Sequence, residues 1–122
     1  MTNTKIMYGK HSENGYAEII KGIRIKTLCY GESMLMTEFL LHEGTILPEH
    51  SHPNEQTGYL VKGKIRLFIG EVVRELIAGD SWNINKDVIH RAEILEDSVA
   101  IEVFSPVRED YLKFIYDSDI EN

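Results

Sequence analysis

The stretch Gly44-Thr-Ile-Leu-Pro-Glu-His50-Ser-His52-Pro-Asn-Glu-Gln56-Thr-Gly-Tyr-Leu-Val-Lys-Gly63 carries more information than any other part of the chain. Where a backbone is extended, side chains alternate between two faces, so His50 and His52 on one strand would point the same way. Two imidazoles converging from one face are half of a transition-metal site. Pro48 and Pro53 cannot donate to a sheet ladder, which puts the pair at a rim or a curve rather than in mid-sheet. Gln56, past the bend, can bring its amide oxygen to the same ion. Read alone, the histidine pair fits a solvated loop equally well. The balance shifts with a second segment, Gly79-Asp-Ser-Trp-Asn-Ile-Asn85-Lys-Asp87-Val-Ile-His90. Here a turn, a strand and another turn lead to a lone histidine that opens the apolar run 89–95.

Outward from these segments the same texture continues. Further strand-like runs occupy 19–28, 34–41, 45–47, 58–61, 64–69, 72–77, 81–84 and 99–104, with Gly, Asn, Asp and Ser between them. Short strands at turn-length spacing predict an all-β sandwich or barrel. With 122 residues, 43% of them hydrophobic, the chain suits one packed domain over 1–122. Residues 1–15 read as a loose polar arm, 108–116 as room for a helical turn, and 117–122 as a fraying acidic tail. The net charge of -7, with 13 Lys and Arg scattered along the chain, argues against nucleic-acid binding by counterion release. No apolar run approaches the roughly 18 residues of a membrane span. A single cysteine, Cys29, and the lack of an apolar leader point to the cytoplasm. Cys29 itself reads as a small buried hydrophobe.

Together the two segments resemble the paired motifs of the cupin family. In the first motif a Gly is followed after five residues by H-x-H, then by an acid, then after six residues by a Gly. Gly44, His50, His52 and Gly63 sit at those spacings, with Gln56 in the acid's place. Gly79 and His90 match the second motif, with Asn85 and Asp87 standing where Pro and Gly are usual; both are turn-compatible. The resemblance runs over about 23–111. It implies a double-stranded β-helix (a jelly-roll barrel) holding one divalent ion of Mn, Fe, Ni, Co or Zn through His50, His52, Gln56 and His90. Three neutral imidazoles and a neutral amide would leave the ion's double charge uncompensated. Such a site attracts an anionic ligand, and two open positions would let it polarise that ligand's oxygens.

The ending Glu102-Val-Phe104-Ser-Pro-Val-Arg108 is similar to that of a cupin subgroup that includes pectin-degradation enzymes ketonising unsaturated uronates. There an acid, an aromatic and an arginine line the pocket; they fall here on Glu102, Phe104 and Arg108, with Glu replacing the usual Asp. Alternation independently puts Ala100, Glu102 and Phe104 on one face. An arginine beside them suits bidentate pairing with a substrate carboxylate. Tyr59 and Met36 are further pocket candidates, while Met34 and Trp82 read as readily as core; His11 and His42 carry no expected role. The resulting expectation is an isomerase or lyase acting on a small anionic sugar acid or keto acid, with Glu102 and Arg108 as the catalytic pair. An iron-dependent dioxygenase and a non-catalytic small-molecule sensor are the alternatives. The run 19–28, read as an exposed edge strand, invites pairing, and small cupins are commonly homodimers, so a homodimer is expected.

Overall fold

The computed structural model describes residues 6–116. Eight strands run in the order β1 (Ala17–Ile20), β2 (Ile23–Tyr30), β3 (Leu35–Leu41), β4 (Ile46–His50), β5 (Glu55–Ile69), β6 (Val72–Ile77), β7 (Ser81–Ile84) and β8 (His90–Ser105). A 3₁₀ turn, Glu109–Phe114, follows them. The strands pair in the order β1-β2-β3-β8-β5-β6, with β4 added to β8 and β7 to β5. This is the all-β jelly roll expected from the sequence.

The long strands β5 and β8 make the barrel because each serves both of its halves. Residues 55–60 pair with 100–105 in a half that β7, β3, β2 and β1 extend. Residues 64–69 pair with 90–96 in the other half, which β6 and β4 complete. Register slips between Leu60 and Ile65, where the strands turn from one half to the other. Gly63 sits there at φ 99°, and a Cβ on it would lie 2.1 Å from Ser98 Oγ, so the crossing requires glycine. Ser98 Oγ uses that room to accept the Lys64 amide at 3.0 Å.

Two sequence expectations change at this level. The runs 58–61 and 64–69 are one strand, and so are 89–95 and 99–104, because their punctuating residues bend the ladder without ending it. The run 19–28, conversely, is two strands joined at Lys21-Gly22. The sheet edge is therefore the four-residue β1, while β2 lies between β1 and β3. Lys26, which alternation turns outward, is only 4% exposed. Its ammonium donates to the Ser12 carbonyl at 2.8 Å and sits 4.1 Å from the Tyr16 ring centroid. The polar segment before β1 thus lies against β2, and Ile6 also bridges Tyr30. Residues 1–5 of the expected arm and the expected tail 117–122 lie outside the described residues. Among the described residues no helix is long and apolar enough to cross a membrane.

The inward residues of both halves, Ile23, Ile25, Phe39, Leu60, Ile65 and Leu67 among them, form one hydrophobic cluster. At one end that cluster gives way to polar groups, and the histidines stand there.

Candidate metal centre

His50 ends β4 and His90 begins β8, and the two are direct cross-strand partners. His52 does not share His50's strand, as the sequence suggested it would; β4 stops at His50, and His52 lies in the loop before β5. The loop nonetheless turns it inward, with its carbonyl accepting the Asp87 amide at 2.8 Å. That bond ties the loop carrying His52 to the turn that launches His90. Asp87 has φ 66°, the left-handed region in which the family motif places glycine and which Asp tolerates better than most residues.

The three rings converge, with ligand atoms all within 4.8 Å of one another. Ring centroids are 4.1 Å apart for His50 and His90, 5.1 Å for His52 and His90, and 5.8 Å for His50 and His52. Each Nδ1 faces a backbone carbonyl: Pro48 at 2.8 Å, Asn54 at 3.0 Å and Val88 at 2.9 Å respectively. A carbonyl only accepts, so in the neutral rings Nδ1 carries the proton and Nε2 keeps its lone pair. This is the arrangement that orients metal-ligating histidines. Burial pushes the His90 imidazole down to about 4, and burial with the nearby Arg108 charge lowers His52, so both rings stay neutral near pH 7.

Two observations fit this donor set to a cation. His90 Nε2 is buried with no hydrogen-bond partner among the described residues, a cost that a metal ion would remove. His52 Nε2 lies 2.9 Å from Gln56 Oε1, two lone pairs facing each other, an approach that a shared cation makes favourable. Gln56, on β5 and 6% exposed, thus sets one oxygen beside the three histidine nitrogens.

Beside the cluster, Glu102 and Phe104 point into the same enclosed cavity of about 50 Å³, together with Trp82, Arg108 and Tyr111. Gln56 Nε2 donates to Glu102 Oε1 at 2.7 Å and Trp82 Nε1 donates to the same oxygen at 3.1 Å. Burial raises the Glu102 carboxyl to about 7 against the pull of these bonds and of Arg108. A carboxyl in that range both takes and gives a proton near neutrality. It stands one hydrogen bond behind the neutral Gln56. The Arg108 guanidinium carbon lies 4.0 Å from the Tyr111 ring centroid and 5.1 Å from that of Phe104. Its Nε donates to Asp110 at 3.2 Å. Burial pushes the Tyr111 phenol up to about 12.

Tyr59 and Met36 do not belong to this cavity. Tyr59 is 50% exposed and Met36 36%, both on the outer face, because Gln56, Gly58 and Leu60 take the inward positions of β5, and Leu35 and Thr37 those of β3. Met34 is likewise outside, whereas Trp82 is inside. His11 and His42 pair with Glu13 and Asp97 on the surface. The sequence reading missed Gly58, where a Cβ would lie 2.3 Å from the Trp82 ring and 2.5 Å from Glu102 Oε1. It also missed Tyr111, whose signal was only its place three residues after Arg108.

Comparison with known proteins agrees with this fold. The cupin domain profile matches residues 37–105. The pectin degradation protein KdgF of Dickeya dadantii (strain 3937) is 30% identical over 102 residues, covering 82% of this chain and 93% of that protein. KdgF from a Halomonas species superposes with a TM-score of 0.80 at 27% identity, covering 84% of this chain and 97% of that one. An RmlC-like cupin from Shewanella frigidimarina NCIMB 400 gives 0.81 at 25% identity, covering 86% and 95%. In sequence, fold and the placing of its histidines, the chain belongs to the cupin family.

Proposed function

We propose that this chain is a metal-dependent enzyme that opens the ring of a 4,5-unsaturated monouronate to its linear keto acid. The observation that carries the reading is that Glu102, Phe104 and Arg108 share one cavity with His50, His90 and Gln56. The likeness to the two pectin-degradation proteins supports it. A divalent ion, when bound by His50, His52, Gln56 and His90, supplies Lewis acidity toward a substrate oxygen. Arg108 binds the uronate carboxylate. Ring opening turns a hydroxyl into a carbonyl and leaves an enol that becomes a ketone, so a proton leaves oxygen and one is delivered to carbon. Glu102 moves that proton through its second oxygen, since Oε1 already accepts from Gln56 and Trp82. Phe104 and Tyr111 keep water from the reacting atoms. We also infer a cytoplasmic homodimer, with the outer face of the β3-β8-β5 sheet as its contact.

The test is the loss of the substrate's ultraviolet C=C absorbance at saturating metal, compared with the spontaneous rate. Glu102→Gln should slow turnover by roughly 10²–10⁴-fold, and Arg108→Ala should chiefly raise KM. No acceleration by metal-loaded protein would overturn the assignment and leave a binding module as the better reading.

A further inference from the structure

In the barrel half that carries the site, Trp82 on β7, Gly58 on β5 and Glu102 on β8 are consecutive cross-strand partners in one row. Strands lie about 4.8 Å apart, so β7 and β8 are separated by roughly twice that distance across β5. Trp82 and Glu102 nevertheless meet at 3.1 Å. They do so over Gly58, whose missing side chain is the gap they fill. A Cβ there would lie 2.3 Å from Trp82 Nε1 and 2.5 Å from Glu102 Oε1. Gly58 carries no left-handed φ, so space rather than backbone conformation calls for glycine.

Gln56 lies two residues before Gly58 on the same face. A glutamine amide is nearly symmetric in shape, and only its oxygen carries a lone pair that a metal can use. An indole N–H can only donate, so Trp82 marks Glu102 Oε1 as an acceptor. With Glu102 ionised, the end of Gln56 lying 2.7 Å from that same oxygen is its NH₂. Its oxygen is left facing His52 Nε2 at 2.9 Å.

Building on the metal site proposed above, we propose that Gly58, Trp82 and Glu102 are positioning residues that lock the Gln56 amide with its oxygen toward the ion. The lock also makes Gln56 a stronger donor than a free amide, because a carboxylate accepting the amide N–H draws negative charge onto the carbonyl oxygen. Glu102 thereby has a structural part in assembling the centre that is separate from moving a proton.

The experiment measures Ni(II) and Zn(II) affinity of the whole chain by competition with a chromophoric chelator. It also follows the Gln56 side-chain NH₂ resonances of ¹⁵N-labelled protein. Outer partners of metal ligands typically contribute about 10–100-fold in affinity. Trp82→Phe and Glu102→Gln should each weaken binding by that range and move the Gln56 NH₂ resonances, with circular dichroism unchanged. Gly58→Ala should match them, and Met36→Ala, on the outer face, should match wild type. Wild-type affinity and unmoved resonances in both Trp82→Phe and Glu102→Gln would overturn the lock while leaving the metal site in place. A wild-type chain that binds neither ion would overturn the metal reading and the lock with it. Weakened metal binding with unmoved Gln56 resonances would assign the effect to general packing and also overturn the lock.

Discussion

A histidine whose Nδ1 proton is held by a backbone carbonyl has one lone pair left to give, and His50, His52 and His90 all present it to the same small volume. Deleting one such ring should empty the site without unfolding the barrel, whose hydrophobic cluster is built elsewhere. His52→Ala is expected to lose its bound metal, measured by elemental analysis, and to keep a β-rich circular dichroism spectrum. At this scale much was legible. The spacing of His50, His52, Gln56 and His90 could be read from the chain, and so could the shared face of Ala100, Glu102 and Phe104. Tyr59 and Met36 were misplaced because apolar character does not say which face of a strand turns inward, and here both faces carry apolar residues. Gly58 was illegible because its meaning lies in the Trp82 and Glu102 side chains on either side of it.

Among the elements, the turn before His90 and the ladder around β5 lend themselves to measurement. Asp87 holds φ 66°, which a β-branched residue resists at a cost of roughly 1–2 kcal/mol. Asp87→Val should therefore lose about that much stability in a urea melt. Asp87→Gly should lose little. In the ladder, Arg66 stands between its direct partners Glu75 and Glu93 and bonds each, at 2.8 Å and 2.7 Å. The hydrogen bonds from Arg66 hold both carboxyls below the usual carboxylate range, with Arg91 adding a second bond to Glu93. Carboxyls lowered in the folded state stabilise it above their ordinary value of 4.5, and the contribution fades as pH falls through the lowered values. Arg66→Ala should return both carboxyls toward the ordinary range in an NMR titration and reduce the fall in melting temperature between neutral and acid pH. An unchanged titration would show that the ladder does not set these carboxyls.

Viewed as a whole, the molecule has a histidine cluster at one end and an apolar flank. Met36, Tyr59 and Val61 lie on the outer face of β3 and β5, 36%, 50% and 46% exposed, and Met34 beside them is 53% exposed. Contiguous apolar faces of this kind are uncommon on monomers. A dimer through this face should appear by sedimentation at micromolar concentration, and Met36→Glu should shift it to monomer; a wild-type monomer would remove the proposal. The edge expected from the run 19–28 is only the four-residue β1, since β2 lies between β1 and β3. The sequence alone determined the strand content, the family and the three histidines that cluster, because each of these is written in local periodicity and fixed spacing along the chain. Only the tertiary structure decided which strands run unbroken through both barrel halves, which apolar residues face inward, and how Trp82, Glu102 and Gln56 meet above Gly58. Those outcomes depend on contacts between strands far apart in the chain, and period and spacing carry no record of them.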